Sequence, residues 1–580
     1  MKEQAQWDEI VDVIVVGSGA SGLSAALTAH FEGLRPLVLE KTGRIGGSSA
    51  ISGGAVWLPL TEGAEQVGHP DSWERVWAYL QETVGSASPD IMKTAYLEFG
   101  PRMLQYLTAK GALELLPRAY SPDYYPDRPG ASLGGRSMDP APFDGRLLGK
   151  DGMLELRDPL KEFLVLGGMM VNITDVNHLL NAHRSWASFR HGVPLVLRYW
   201  MDRARGYHRG TRLLLGNALV ARLFHVLRRE GIPYRFESPV QRILKGHDGA
   251  VRGVETVKNG RPWRVRAGKG VVIASGGFPW NAAMREQQFP APTGPWSMAP
   301  QTNTGDGIGL AISAGATMGS GHTSPAFWAP VSLLKQADGR VIRYPHLVWD
   351  RAKPGLIAVN QQGVRFVNES ASYHEFVLGM QRQAEGGTSN TPAWLVCDAR
   401  FIEKWGLGLA LPGGRPREHL IDSGYLKCAP SLEGLASQMN VDATRFKQTV
   451  DRYNRQAEEG RDADFGKGST AYNRYLGDPA HEPNPCLAPL SKAPYYAVQV
   501  YPGDIGTACG VRTDTHARAL DTEGRVIPGL FVVGNDMQSV MGGAYPGPGI
   551  TLGPGLTFGW VAAQCLAGKL PAEQQSLGAS

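Results

Sequence analysis

The sequence predicts an α/β chain: a Rossmann-type dinucleotide-binding domain, discontinuous in sequence, with an α+β domain inserted into it. Three observations carry this. Residues 11–41 form a strand, glycine loop, helix and second strand in one unit. From about residue 281 the chain mixes short apolar runs with polar helical stretches. Its last part returns to buried-type runs that end in glycine. At 580 residues the chain is too long for one core. The expected division is 8–280, first part of the dinucleotide domain; 281–490, the insert; 491–572, second part; and 573–580, a loose tail.

The first unit opens with the β-branched run at residues 11–16, a buried parallel strand by composition. Gly17, Ser18, Gly19, Ala20, Ser21 and Gly22 follow with G-x-G-x-x-G spacing. Gly17 permits a tight turn, Gly19 a close approach of backbone to pyrophosphate, and Gly22 close packing of the next helix. That helix points its positive end at the phosphates. The second strand, residues 36–39, ends in Glu40 and Lys41. A carboxylate there can accept from ribose hydroxyls. The small residues Gly46, Gly47, Ser48, Ser49, Gly53 and Gly54 come next, and the expectation is a second cofactor loop.

Asp71 is the expected cap of a helix, with Glu74 as its partner and Trp73, Val76, Trp77 and Leu80 on the buried face. A second amphipathic segment covers residues 103–116. The loop at 120–140 places Tyr120, Tyr124 and Tyr125 where a loop would meet a cleft; taken alone, such tyrosines are ordinary packing or surface residues. Residues 164–181, with Gly167, Gly168, Met169 and Met170, read as plain core or as an adaptable apolar cavity. Over 184–212 arginines alternate with Trp186, Phe189, Tyr199, Trp200 and Tyr207. This suits a solvated helix face, and also a membrane surface. A helix over 211–230 should end at Gly231. Residues 239–270 carry alternating runs split by H-D-G and K-N-G turns, a meander. Residues 303–316 read as a loop and a Gly/Ala-rich helix, and 355–359 and 393–398 as strands of the insert. Residues 528–536 form another buried strand, and the glycines of MGGAYPGPGITLGPG lead into a final helix.

Composition excludes several classes. A net charge of +5 is mild for this length, and no nucleic-acid motif occurs. The five cysteines form no C-x-x-C pair, so a disulfide scaffold or zinc site is not expected, and no metal is assigned. The start of the chain lacks the regions of a signal peptide, and no apolar run has transmembrane length. A cytoplasmic protein, with peripheral membrane attachment to be tested, is the expectation.

GLFVVGN at 529–535, paired with the N-terminal glycine loop, resembles the flavoproteins built like fumarate reductase. PDYYPD, GGRSMDPAPFDGRLLG, RFVNESASY, YPGDIGTACGVRTD and above all AYPGPGITLGPGLTFG resemble the 3-ketosteroid Δ1-dehydrogenases within that group. The resemblance covers nearly the whole chain. It implies FAD as the dinucleotide and a capping, catalytic role for the insert. It adds Val240 at the adenine, Asn535 at the ribityl chain, and Gly534 and Leu552 as cofactor positions. No histidine falls in GGSSAISGG, where some relatives attach flavin, so the FAD is expected to be noncovalent.

By the same resemblance Tyr545 and Gly549 bind the C3 carbonyl of a 3-ketosteroid, Tyr373 takes the C2 proton, and Tyr124 supports it. Choosing Tyr124 over Tyr125 is a one-residue alignment choice. The residue types suit the chemistry: a hydroxyl and a backbone N–H stabilise charge growing on a ketone oxygen. A tyrosine base, ordinarily near pKa 10, needs hydrogen bonds that favour its phenolate. An external electron acceptor is implied, a quinone being one of suitable chemistry.

Three rivals stand beside this reading. A Δ4-(5α)-dehydrogenase would carry a serine soon after the catalytic tyrosine, where this chain has Pro546 and Gly547. A fumarate-type reductase needs cations for two carboxylates, and its histidine-bearing segment corresponds to GTACGVRTD, which has none. A flavin-free lipid chaperone of the same fold conflicts with the intact glycine loop and Glu40.

Overall fold

In the computed structural model, described over residues 7–570 apart from 162–163, 181–184, 384–386 and 388, the chain is built on two large sheets. The expected loose tail at 573–580 and the start of the arginine stretch lie outside the described residues.

The first sheet runs Tyr234–Arg235, Pro36–Leu39, Glu9–Val16, Arg261–Ile273, Val251–Lys258, Val240–Lys245. Its centre is parallel and covered on both faces, which is why these strands read as continuous apolar runs. Val13, Ile14 and Val15 are wholly buried. The strand Arg261–Ile273 serves two partners: Arg261 to Arg266 pair antiparallel with Val251–Lys258, and Val271 to Ile273 pair parallel with Leu530 to Val532. The meander expected at 239–270 is thus the antiparallel flank of the sheet that holds the glycine loop.

The late segment completes this sheet. Val526–Val532 lies against Arg261–Ile273, and Arg518–Leu520 pairs with Val526–Val532. The helix Leu552–Leu566 packs on the first helix, Ala20–Phe31. Ser24 Oγ donates to the Leu556 carbonyl at 2.8 Å. A Cβ on Gly559 would sit 2.4 Å from the Ser21 carbonyl, so only glycine allows this approach. Segments more than five hundred residues apart are thereby joined at one point.

The second sheet runs Val341–Pro345, Ala326–Lys335, Tyr495–Thr507, Ala393–Cys397, Leu356–Val359, with Leu426–Ala429 also on Tyr495–Thr507. Sheet membership therefore returns to the first sheet well after residue 490, while the helix Asp306–Ser313 still packs on the first. The helices Leu432–Met439 and Ala443–Glu458 cover a separate apolar cluster around Ile357, Trp394 and Val396.

Some local expectations change. The cap of helix Trp73–Thr83 is Ser72, whose Oγ accepts from Arg75 N, not Asp71. Asp71 is taken by Arg136, a stronger partner than a helix terminus. Val76, Tyr79 and Leu80 form the buried face, whereas Trp73 is exposed and stacks on Trp77. The helix expected from 211 begins at Leu215, because Arg212–Leu213 pairs with Phe143–Asp144. The segment at 103–116 is the end of helix Asp90–Ala109 followed by the strand Leu115–Pro117.

Candidate active site

The glycine loop is shaped by its contacts. Gly17 has φ +106°, and a Cβ there would lie 2.3 Å from the Ala274 carbonyl. Gly22 would meet the Gly17 carbonyl at 2.2 Å. Gly19 caps the first helix, and its side-chain direction is open apart from Ser49 Oγ at 3.6 Å. Two glycines are needed for packing, therefore, and the third leaves room for a ligand.

Glu40 is buried and held by four donors: Ser18 N and Oγ on one oxygen, Thr42 N and Oγ1 on the other. The Ser18 hydroxyl in turn accepts from Gly46 N, so the two expected cofactor loops are tied. Ser49 Oγ accepts from Ala20 N at 3.1 Å, and Ser48 Oγ accepts from Asn303 Nδ2 at 3.0 Å. Gly47 opens the short helix Gly47–Ile51. Lys41 is committed to Asp306 and Thr304. Ser238 N donates to the Glu40 carbonyl, which places Val240 near that strand end.

At the other end of the first helix's N-terminal turn, Ser21 Oγ lies against Gly534 and Gly555; a Cβ on either would approach it within 2.8 Å. Gly534, Asn535, Thr551 and Gly555 line a crevice with Thr507, Gln538 and Phe558. Leu552, one residue past Thr551, begins the last helix. Gln538 Nε2 is buried in this crevice with no partner among the described residues. Asp536 closes the crevice floor to the first sheet by accepting from the backbone N–H groups of Ser275, Gly276 and Gly277. An orphaned amide donor, bare glycine backbone and a helix N-terminus suit a polar heteroaromatic cofactor.

Phe327, on the crevice wall, stands edge-on to Tyr545 with ring centres 5.5 Å apart. Here the structure brings Tyr124, Tyr373 and Tyr545 together, all buried. Tyr124 Oη donates to Tyr373 Oη at 2.9 Å, and the Tyr373 and Tyr545 hydroxyls are hydrogen-bonded to each other at 2.7 Å. Tyr125 turns away and donates to Glu375 at 2.7 Å. Gly549 has φ +106°, and a Cβ there would lie 2.5 Å from Trp57 N. The Gly549 carbonyl accepts from Trp57 N, while its own N–H has no acceptor among the described residues.

Each tyrosine is placed by buried polar ties. The Tyr124 loop is clamped by Arg136, which donates to Asp123, Asp71 and the Gly130 carbonyl. Asp123 also accepts from Trp57 Nε1 at 3.0 Å. Tyr124 N and Tyr79 Oη both donate to the Pro546 carbonyl, next to Tyr545. The motif before Tyr373 is a second clamp. Arg365 donates to Glu369 and to Asp462, all three buried, and Glu369 also accepts from Ala358 N. Asn368 donates to Asn473 Oδ1, and Asn473 donates to the Ser370 carbonyl. Tyr373 is then the first residue of helix Tyr373–Gln381, capped by Ser372, where the helix field favours a negative group.

The hydroxyls are not electrostatically equal. Burial raises the pKa of Tyr373 above the ordinary tyrosine value, but bonds to Tyr124 and Tyr545 and the charges of Arg351 and Arg118 oppose it. Tyr124 and Tyr545 are pushed well above 10 by burial, reinforced by Tyr373 itself. Tyr373 is thus the member of the three whose anion the surroundings disfavour least. His374, with its ring 5.6 Å from Tyr545, accepts from Trp328 N through Nδ1. Burial lowers its pKa to about 3, so it is neutral.

Sequence reasoning missed Tyr472, whose ring centre is 4.8 Å from Tyr124, and the buried Arg351. It also missed Gln538 in the crevice. None sits in a local pattern; the Asn368–Asn473 tie that brings Tyr472 in joins residues 105 apart.

Comparisons with known proteins agree in kind. The FAD binding domain family matches residues 12–552. A 4-oxocyclohex-2-ene-1-carboxylate 5-dehydrogenase from Sinomonas cyclohexanicum is 38% identical, over 98% of this chain and 95% of its own. A 3-oxosteroid 1-dehydrogenase from Mycolicibacterium smegmatis is 37% identical, over 97% and 98%. Among solved structures, the 3-ketosteroid Δ1-dehydrogenase of Sterolibacterium denitrificans in complex with 1,4-androstadiene-3,17-dione is similar at TM-score 0.89 and 38% identity, over 97% of this chain and 100% of that one.

Proposed function

The chain belongs to the FAD binding domain family, among its 3-oxosteroid 1-dehydrogenase relatives, and from this we propose that it is an FAD-dependent 3-ketosteroid 1-dehydrogenase. The first sheet with its two flanking segments is then a Rossmann-type FAD domain, and the second sheet belongs to a capping, catalytic domain. The cofactor residues are Gly17 to Gly22, Glu40, Lys41, Gly47 to Ser49, Val240, Gly534, Asn535 and Leu552. Bound FAD supplies the acceptor for the C1 hydride.

The residues of the chain do the rest. The observation that carries the reading is the meeting of three buried hydroxyls, Tyr124 with Tyr373 at 2.9 Å and Tyr373 with Tyr545 at 2.7 Å. With Tyr373 ionised, Tyr545 keeps a hydroxyl hydrogen to donate, beside the Gly549 N–H, which has no acceptor among the described residues. Together they fit a ketone oxygen on which charge develops. Such stabilisation acidifies C2, and Tyr373, as phenolate, takes that proton. Tyr124 holds the phenolate by donating to it. A C1–C2 double bond next to the C3 ketone results.

The 38% identity to an oxocyclohexenecarboxylate dehydrogenase favours a second reading, a smaller ketone bearing a carboxylate. A carboxylate needs a cation. Of the cations that act on Tyr373, Arg118 is bound to Asp139 in a two-pronged pair and Arg351 to backbone carbonyls. This supports the neutral steroid. Anaerobic flavin bleaching with a panel of 3-ketosteroids and 4-oxocyclohexanecarboxylates tests both. Bleaching by steroids with a new C1–C2 double bond is expected; bleaching by the carboxylates alone overturns the steroid reading.

We also propose a cytoplasmic protein in peripheral contact with membrane, reoxidised by a quinone. No helix of the described residues is long and apolar enough to cross a membrane. Helix Trp186–Ala204 exposes Trp186, Phe189, Leu197, Trp200 and Met201, with Arg190 and Arg203 also exposed. Cosedimentation with vesicles containing phosphatidylglycerol should occur and weaken with salt. No binding at low salt overturns the membrane proposal.

A further inference from the structure

Arg351 is 2% exposed, and it is an unusual buried cation. Its Nε donates to the His346 carbonyl at 2.7 Å and Nη2 to the Leu347 carbonyl at 2.7 Å. Nη1 donates to the carbonyls of Glu369 at 2.9 Å and Ala371 at 3.0 Å. No ion pair among the described residues includes this guanidinium. Its neighbour Asp350 is turned elsewhere, to His346 Nδ1 at 2.5 Å and to the Arg351 backbone N–H at 2.9 Å. His346 Nε2 continues to Ser332 Oγ, and Ser332 to Tyr425 Oη, so the Asp350 carboxylate is fixed in that network.

Desolvating a guanidinium is costly, and carbonyl dipoles compensate it less well than a carboxylate. Two of the four carbonyls, Glu369 and Ala371, belong to the turn that leads directly into Tyr373. The same guanidinium lies 5.1 Å from the ring centre of Phe376, on the Tyr373 helix. It grips that helix from both its lead-in and its first turn.

We infer that Arg351 is a positioning residue for Tyr373: unpaired by carboxylate, it fixes the turn before Tyr373 and supplies the positive potential in which that hydroxyl gives up its proton. This rests on the reading of Tyr373 as the base. The other charged or titratable groups around this corner are Arg118 with Asp139, Tyr124, Tyr472 and Tyr545, Glu369 with Arg365, Glu375 with Tyr125, and the neutral His374. Arg365 and Arg118 are each engaged by carboxylates, so Arg351 is the cation of this group without one.

The test is the pH profile of steroid dehydrogenation by the FAD-loaded enzyme. The rate rises with pH as the base ionises. Arg351→Met should move this rise at least one unit upward, about a tenfold loss at a fixed pH below it. Bound flavin and steroid affinity should be unchanged. Arg351→Lys, which keeps the charge but not the fork, should hold the rise in place while lowering thermal stability. Asp350→Asn, removing the carboxylate that precedes Arg351 in the chain, should move it downward. If Arg351→Met does not fold, Arg351→Lys and Asp350→Asn decide: a displaced rise in the first, or an unmoved one in the second, overturns the inference. So does Arg351→Met that is slower at every pH with no displacement. Tyr373→Phe serves as the control: if it still turns over, the base assignment itself fails, whereas an inactive Tyr373→Phe with unmoved profiles in the other variants removes Arg351 alone.

Discussion

The backbone N–H of Tyr124 donates to the carbonyl of Pro546 at 2.9 Å, which ties the loop carrying Tyr124 to the loop carrying Tyr545. Beside that tie the two adjacent tyrosines part. Tyr124 reaches Tyr373, and Tyr125 is directed to Glu375.

Tyr373→Phe should lower steroid dehydrogenation by about 10²–10⁴-fold, the usual range for a general base. The protein should remain yellow, because the Tyr373 hydroxyl is bonded to other tyrosines and, among the described residues, to none of the proposed cofactor residues. Stopped-flow flavin reduction measures this; reduction at the wild-type rate would sink the role.

Tyr545→Phe removes the donor to the ketone and should cost about 10²–10³-fold in kcat. Tyr124→Phe removes the donor to Tyr373 instead, so its defect should shrink as pH is raised. Parallel pH profiles of the two variants separate the roles, and identical profiles would contradict them.

Gly549→Ala meets both a φ of +106° and backbone 2.5 Å from the new Cβ. Unfolding free energy should fall by about 1–3 kcal/mol, with loss of turnover. Chemical denaturation checks the first, and an unaltered midpoint would mean that the loop moves freely away from Trp57.

His374 links stability to acid. Its pKa is lowered to about 3 by burial, below the unfolded value of 6.5. The unfolded chain therefore binds the extra proton between these values. This contribution is complete above pH 6.5 and declines as pH falls toward 3, by roughly 1.4 kcal/mol per unit. Melting curves across pH 4–7, as a window of about three units, should show less acid loss in His374→Gln than in wild type. An equal slope in the two proteins would reject the linkage.

Arg136→Met leaves Asp123 and Asp71 buried without their partner. Breaking such a pair costs about 3–5 kcal/mol. Because Asp123 precedes Tyr124, activity should fall further than stability alone explains, as read by turnover well below the melting temperature. A variant with normal turnover at that temperature would show that the clamp does not position Tyr124.

Legibility from sequence followed range. The βαβ unit at the start, the meander and the late strand were readable because periodicity and glycine spacing are local signals. The cap at Ser72 was misread as Asp71 because a distant arginine competes for that carboxylate. Tyr124, Tyr373 and Tyr545 were nameable through motif resemblance, yet composition alone left each as an ordinary buried or surface tyrosine. Tyr472 and Arg351 had no local signature.

By itself, then, the sequence determined that a dinucleotide-type glycine loop follows the first strand and that a glycine-rich loop late in the chain leads into a helix. Turn geometry and strand burial are decided by neighbouring residues, so they are written locally. Tertiary structure decided that these loops meet through Ser21, Gly534 and Gly555, and that three hydroxyls fall within hydrogen-bond reach. It also decided which of these hydroxyls burial disfavours least as an anion. Those outcomes depend on distances between segments far apart in the chain and on a buried cation's surroundings, and no window of sequence holds either.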